Sequence, residues 1–174
     1  MSDTKVEDRK DTEAEERKAM PKLQGSTSKT ARKAWDVLVD VYLVSDSPLE
    51  FHVESYLQNA KDQPLNFHNN GHPGFNVTFE LHDETGKDYG FARGPNKQDA
   101  VWSQLGNACP STGIWDVFDK DSIQVTNNGS RLSVFNQNPD PAQGVFQYTL
   151  NVSTNGNPPY LNLDPGGNNQ NGYQ

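Results

Sequence analysis

From Trp35 onward, apolar and polar residues alternate with a period of two. In "WDVLVDVYLV", Trp35, Val37, Val39, Val41 and Leu43 fall on one side, with Asp36, Asp40 and Tyr42 on the other. That period belongs to a β-strand with one buried and one wetter face. "LEFHVESYL" sets Leu49, Phe51, Val53, Ser55 and Leu57 against Glu50, His52 and Glu54. In "FNVTFELHD" the alternation is strict, with Phe75, Val77, Phe79 and Leu81 opposed to Asn76, Thr78, Glu80 and His82. "GIWDVFD", "GVFQYTLNVS" and "PYLNLD" supply further strands. In "DSIQVTNNGSRLSVFNQN", Asn127-Asn128-Gly129 divides two apolar runs. Asn and Gly accept the positive φ of a tight turn, so this stretch predicts a hairpin. Only "NKQDAVWSQLG", residues 96–106, predicts a helix, and a short one.

Seven or eight short strands with regular turn signals predict an all-β fold: an antiparallel β-sandwich, immunoglobulin-like or jelly-roll-like. Strands do not alternate with helices, and neither G-x-G-x-x-G nor G-x-x-x-x-G-K-[ST] occurs. A nucleotide-binding α/β fold is therefore disfavoured.

Composition adds boundaries. Apolar residues make up 32%, against roughly 45–50% in an average globular chain. The deficit is concentrated in residues 1–33, which hold nine basic and seven acidic side chains and almost no large apolar ones. Such a segment buries too little to offset the entropy of ordering. The expected organisation is a disordered mixed-charge arm over 1–33, a sandwich domain over 34–165 and a flexible Gly/Asn-rich tail over 166–174.

Setting the arm aside sharpens the charge. The chain carries −8 and the arm +2, so residues 34–174 carry −10. An acidic domain repels phosphate backbones, and no nucleic-acid partner is expected. The start "MSDTKVEDRK" lacks the apolar core of a secretory signal, and no apolar run approaches the roughly 20 residues that span a bilayer. With Cys109 the single cysteine, a cytoplasmic location without a membrane partner is expected.

The stretch with most chemical promise is "NFHNNGHPGF", which places His68 and His72 four apart around Asn69 and Asn70. On a helix that spacing would let both imidazoles reach one zinc. Asn-Asn-Gly and Pro-Gly prevent a stable helix here, so the stretch reads as part of a long connection over 58–74. Weak metal candidates are His68, His72, His82 and Asp164, with His52 and Asp83 as further donors for a histidine-based centre. Trp102 and Trp115, with the asparagines, form the candidate sugar-stacking set. Asp116, Asp119 and Asp121 read as an acidic turn, and Cys109 as a small buried hydrophobe with no base beside it in sequence.

No nucleophile–base motif appears and no cofactor is implied. The expected function is a non-catalytic interaction or structural protein, acting on an unknown protein partner or on itself. The alternatives are a module for carbohydrate or another polar small molecule, using the 58–74 loop and surface aromatics, and a metal-dependent enzyme built on His68 and His72.

Overall fold

The computed structural model describes residues 35–55, 60–61, 65–66, 74–110, 113–136, 144–165 and 167–169. The arm over 1–33 lies outside them, as do His68, Asn69, Asn70 and His72. The described chain is all-β, in two sheets. Sheet A runs in the order β3 (Ala60–Lys61), β2 (Leu49–Ser55), β1 (Trp35–Asp46), β5 (Phe75–Asp83), β9 (Arg131–Asn136) and β8 (Phe118–Thr126). Sheet B is built around β10 (Gly144–Ser153). Phe146 pairs with Leu105 of β7 (Val101–Leu105) and with Gly167 of β12 (Gly167–Asn169), so these strands lie on opposite edges of β10. β6 (Gly90–Phe91) continues the first edge, β11 (Leu161–Leu163) continues the second, and β4 (Leu65–Asn66) pairs with β12.

The inward residues of both sheets make one core. Val37, Val39, Val41 and Leu43 of β1, Phe75, Val77 and Phe79 of β5, and Phe146, Tyr148, Leu150 and Val152 of β10 are all buried. Aromatic rings join the sheets: Phe79 lies 5.7 Å from Tyr148, and Phe118 lies 5.8 Å from Phe146 and 5.9 Å from Tyr148. Each such side chain contributes about 1.5–3 kcal/mol by leaving water, and edge-on pairs add to that. The hairpin forms as predicted: β8 and β9 are joined through Asn127, Asn128 and Gly129, with φ of 52°, 55° and 95°.

Four details differ from the sequence expectation. Not every pairing is antiparallel, because β1 runs parallel to β5 and β12 parallel to β4. The expected helix over 96–106 is a 3-10 helix, Gly94–Ala100, that gives way to β7. Val101, Trp102 and Ser103 are all buried, and pairing with β10 outweighs their helical spacing. In "GIWDVFD" the strand starts only at Phe118. Ahead of it the chain makes a single parallel bridge to β7, between Trp115 and Ser103, and the Ser103 hydroxyl then accepts from the N–H groups of Val117 at 3.2 Å and Phe118 at 3.0 Å. Within the expected tail, Gly167–Asn169 form β12.

One basic side chain ties loops from both halves together. Arg93 donates from Nη1 to the Asn128 carbonyl at 2.9 Å. It lies so close to Gly90, Gly129 and Gly156 that a Cβ at any of the three would strike it.

Candidate functional site

The outer face of sheet A carries a cross-strand ladder that follows from register. Tyr42 of β1 sits opposite His52 of β2 and opposite His82 of β5. Neighbouring strands lie about 4.7–4.9 Å apart, which is a stacking distance. The rings use it: Tyr42 lies 4.7 Å from His52 and 4.6 Å from His82, with interplanar angles of 13° and 16°. The result is a three-ring stack, His–Tyr–His, running across the strands.

One row away on the same face, Asp40 sits opposite Glu54 and Glu80, and Glu80 opposite Arg131. Three carboxylates therefore share a row. Like charges directly opposite one another are destabilising, so compensation is required. Arg131 supplies part of it through an ion pair to Glu80 at 3.0 Å. His82 supplies more, with Nε2 2.8 Å from Asp40 Oδ1. Asp40 is only 5% exposed, so its charge is poorly solvated and depends on such partners. The tyrosine registers the same field. Shielding from water, then the carboxylates of Asp40, Glu54 and Glu84, push the Tyr42 hydroxyl above its ordinary value.

Asp40, Glu80 and His82 offer one ligand atom each, all within 4.8 Å of one another. Of the described donors named from sequence, only His82 joins this group. His52 lies at the far end of the stack. Asp83 instead organises a turn, accepting from the N–H groups of Thr85 at 2.9 Å and Tyr89 at 2.8 Å. Asp164 accepts from the Thr149 hydroxyl at 2.5 Å on the other sheet. Asp40 and Glu80 were missed as ligands because their meeting depends on the β1–β5 pairing. The available signal was Glu80 and His82, two apart on one strand and so on one face.

The two tryptophans do not share a surface. Trp102 is 9% exposed on β7, and its indole N–H has no hydrogen-bond partner among the described residues. Trp115 is half-buried and donates from Nε1 to the Val101 carbonyl at 2.9 Å. It lines a cavity of about 240 Å³ with Asp116, Asp119, Lys120 and Asp121. Cys109 is exposed rather than buried, and burial of its surroundings and the nearby Asp164 push its thiol up. Among the described residues no helix is long and apolar enough to cross a membrane. No protein-family model matches the chain, and no curated protein matches it closely enough to lend it a function.

Proposed function

We propose that the protein is a non-catalytic interaction module whose outer sheet A face docks a positively charged segment of a partner protein. The observation that supports it is the in-register row Glu54–Asp40–Glu80 on the outer face of sheet A, where Glu54 and Glu80 are half-buried and Asp40 is buried between them in register. The surrounding domain is itself acidic, at −10 over residues 34–174. Complementary charge steers association and suppresses like-charged partners. The reading takes the cytoplasm as the working compartment, consistent with a lone exposed thiol that needs a reducing environment. Self-association through the basic end of the arm (Lys29, Arg32 and Lys33) is the homotypic form of the same interaction.

The test is calorimetric titration of the folded chain with a lysine-rich peptide and a glutamate-rich control, at low and high salt. The lysine peptide should bind, weaken as salt screens the charges, and lose most of its affinity in Glu54→Gln/Glu80→Gln. Equal binding by that variant, or by the glutamate peptide, would sink the reading.

A second reading, a binding site for a polar small molecule, rests on the cavity beside Trp115, where a ring and three carboxylates line one concavity. Trp115→Ala should then abolish chemical-shift changes seen with a sugar panel, and Trp102 should play no part.

A further inference from the structure

We propose that Asp40, Glu80 and His82 form a binding site for one divalent transition-metal ion, with zinc as the reference ion. This does not rest on docking to a partner, because the donors converge within the chain itself. Their ligand atoms lie within 4.8 Å of one another. An ion bound at about 2.0–2.2 Å from each needs donors about 3–4 Å apart. His82 Nε2 already lies 2.8 Å from Asp40 Oδ1, so the movement an ion would require falls mainly on the Glu80 side chain.

Three further features favour an ion here. Asp40 is nine-tenths buried and short, and a carboxylate taken out of water is stabilised by pairing or by a metal. The His82 ring is oriented by its stack on Tyr42 at 4.6 Å, and its Nε2 already points at Asp40 from 2.8 Å. A ligand held in place by its neighbours loses less freedom on binding. The third feature is charge: a dication relieves the repulsion within the Glu54–Asp40–Glu80 row.

The ion would displace two existing partners, the His82 hydrogen bond to Asp40 and the Arg131 ion pair to Glu80. The His82 side chain is 43% exposed, so the remaining coordination positions open to water. One imidazole among two carboxylates selects zinc, cobalt or nickel over magnesium and calcium. Calcium wants six to eight oxygens, more than these side chains offer.

The experiment uses the full chain, stripped with EDTA, titrated with zinc and followed by thermal melting and by zinc counted per chain after dialysis. One zinc per chain is expected, with a melting shift on the order of 5–10 °C at about 100 times Kd. Glu80→Gln and His82→Gln should each lower zinc affinity at least tenfold, with the zinc shift of each variant read against its own metal-free melt, because both residues also pair within the metal-free chain. Arg131→Ala should raise affinity severalfold, because it frees Glu80; a merely structural cluster would not respond that way. His68→Ala/His72→Ala should keep the shift. The proposal fails if zinc gives no shift, if Glu80→Gln and His82→Gln keep it, if His68→Ala/His72→Ala loses it, or if calcium matches zinc.

Discussion

The outer faces of the two sheets obey the same alternation and meet opposite fates. On sheet A the polar set of β5 looks outward: Asn76 and His82 are exposed, and Thr78 and Glu80 are half-buried. Its contacts run sideways along the sheet, as in Asn76 to Asp36 at 3.0 Å and Thr78 to Ser133 at 3.2 Å. On sheet B the polar set of β10 is covered. Thr149 and Asn151 are fully buried and Ser153 is 6% exposed.

Segments from elsewhere in the chain lie over that second face and take up its hydrogen bonds. Asn151 donates to the Asp99 carbonyl at 2.5 Å, besides accepting from Asn162, its neighbour on β11 of the same sheet, at 2.7 Å. The Thr149 hydroxyl reaches the Asp164 carboxylate, with the Pro110 carbonyl at 3.1 Å. Tyr160, above the same network, has its hydroxyl pushed up to about 12 by burial and by Asp99. Polar residues at period two thus mark the face turned from the shared core, and whether that face meets water depends on other segments. The polar set of β5 bonds sideways within its own sheet, whereas that of β10 holds other segments in place.

The largest effect should come from a residue that both sheets share. Phe118→Ala removes ring contacts to β5 and β10 and should cost about 3–5 kcal/mol in denaturant unfolding. Next comes Asn151→Ala, which removes a buried side chain and its hydrogen bond to the Asp99 carbonyl, and should cost about 1–3 kcal/mol. Its counterpart on sheet A, Asn76→Ala, should stay within about 0.5 kcal/mol. Equal losses for these two asparagines would erase the contrast between the faces.

Between them in size lies Asp46, where β1 ends. Hydrogen bonds from Lys87 and then Tyr89 hold its carboxyl below the ordinary value, and the same contact raises Lys87. A depressed carboxyl stabilises the fold above its unfolded value, and that contribution disappears as pH falls through the folded one. Asp46→Asn should therefore lower the melting temperature at neutral pH, with the gap to the parent closing in acid. The raised Lys87 contributes at neutral pH and fades only as pH climbs through its elevated value. A gap independent of pH would mean that the contact is steric rather than ionic.

Legibility in the sequence tracked the same contrast. "FNVTFELHD" and "GVFQYTLNVS" became β5 and β10 with the expected bounds, because alternation with apolar residues on one side is a local signal. The Asn-Asn-Gly turn was readable for a similar reason, its backbone demand being met by its own residues. The His–Tyr–His stack was not readable. It requires that β1 lie between β2 and β5 and that β5 run parallel to it, a pairing between residues about 40 apart in sequence. "NKQDAVWSQLG" misled because its spacing suits a helix in isolation, while β10 offers Val101–Leu105 a ladder of hydrogen bonds. Attention to His68 and His72 followed proximity in the chain, yet the described donors that converge join Glu80 and His82 of β5 to Asp40, about 40 residues away on the neighbouring strand.

The Arg93 contact with Gly90, Gly129 and Gly156 has a consequence for how the sequence can change over time. These glycines sit in separate segments, Gly90 in β6 and Gly129 and Gly156 in turns, and look like independent positions, but one side chain fills the space above all of them. Their tolerances are linked through it. A methyl group at Gly90, whose backbone needs no special conformation, clashes while Arg93 is present and, once Arg93 is replaced by a small residue, still meets the Gly129 Cα at 3.2 Å and the Asn128 carbonyl at 3.3 Å. At Gly129 and Gly156, with φ of 95° and 76°, the backbone would still resist. Drift at this point of the molecule is therefore ordered: the arginine must go first, and Gly90 can follow only if the neighbouring backbone gives by a few tenths of an ångström.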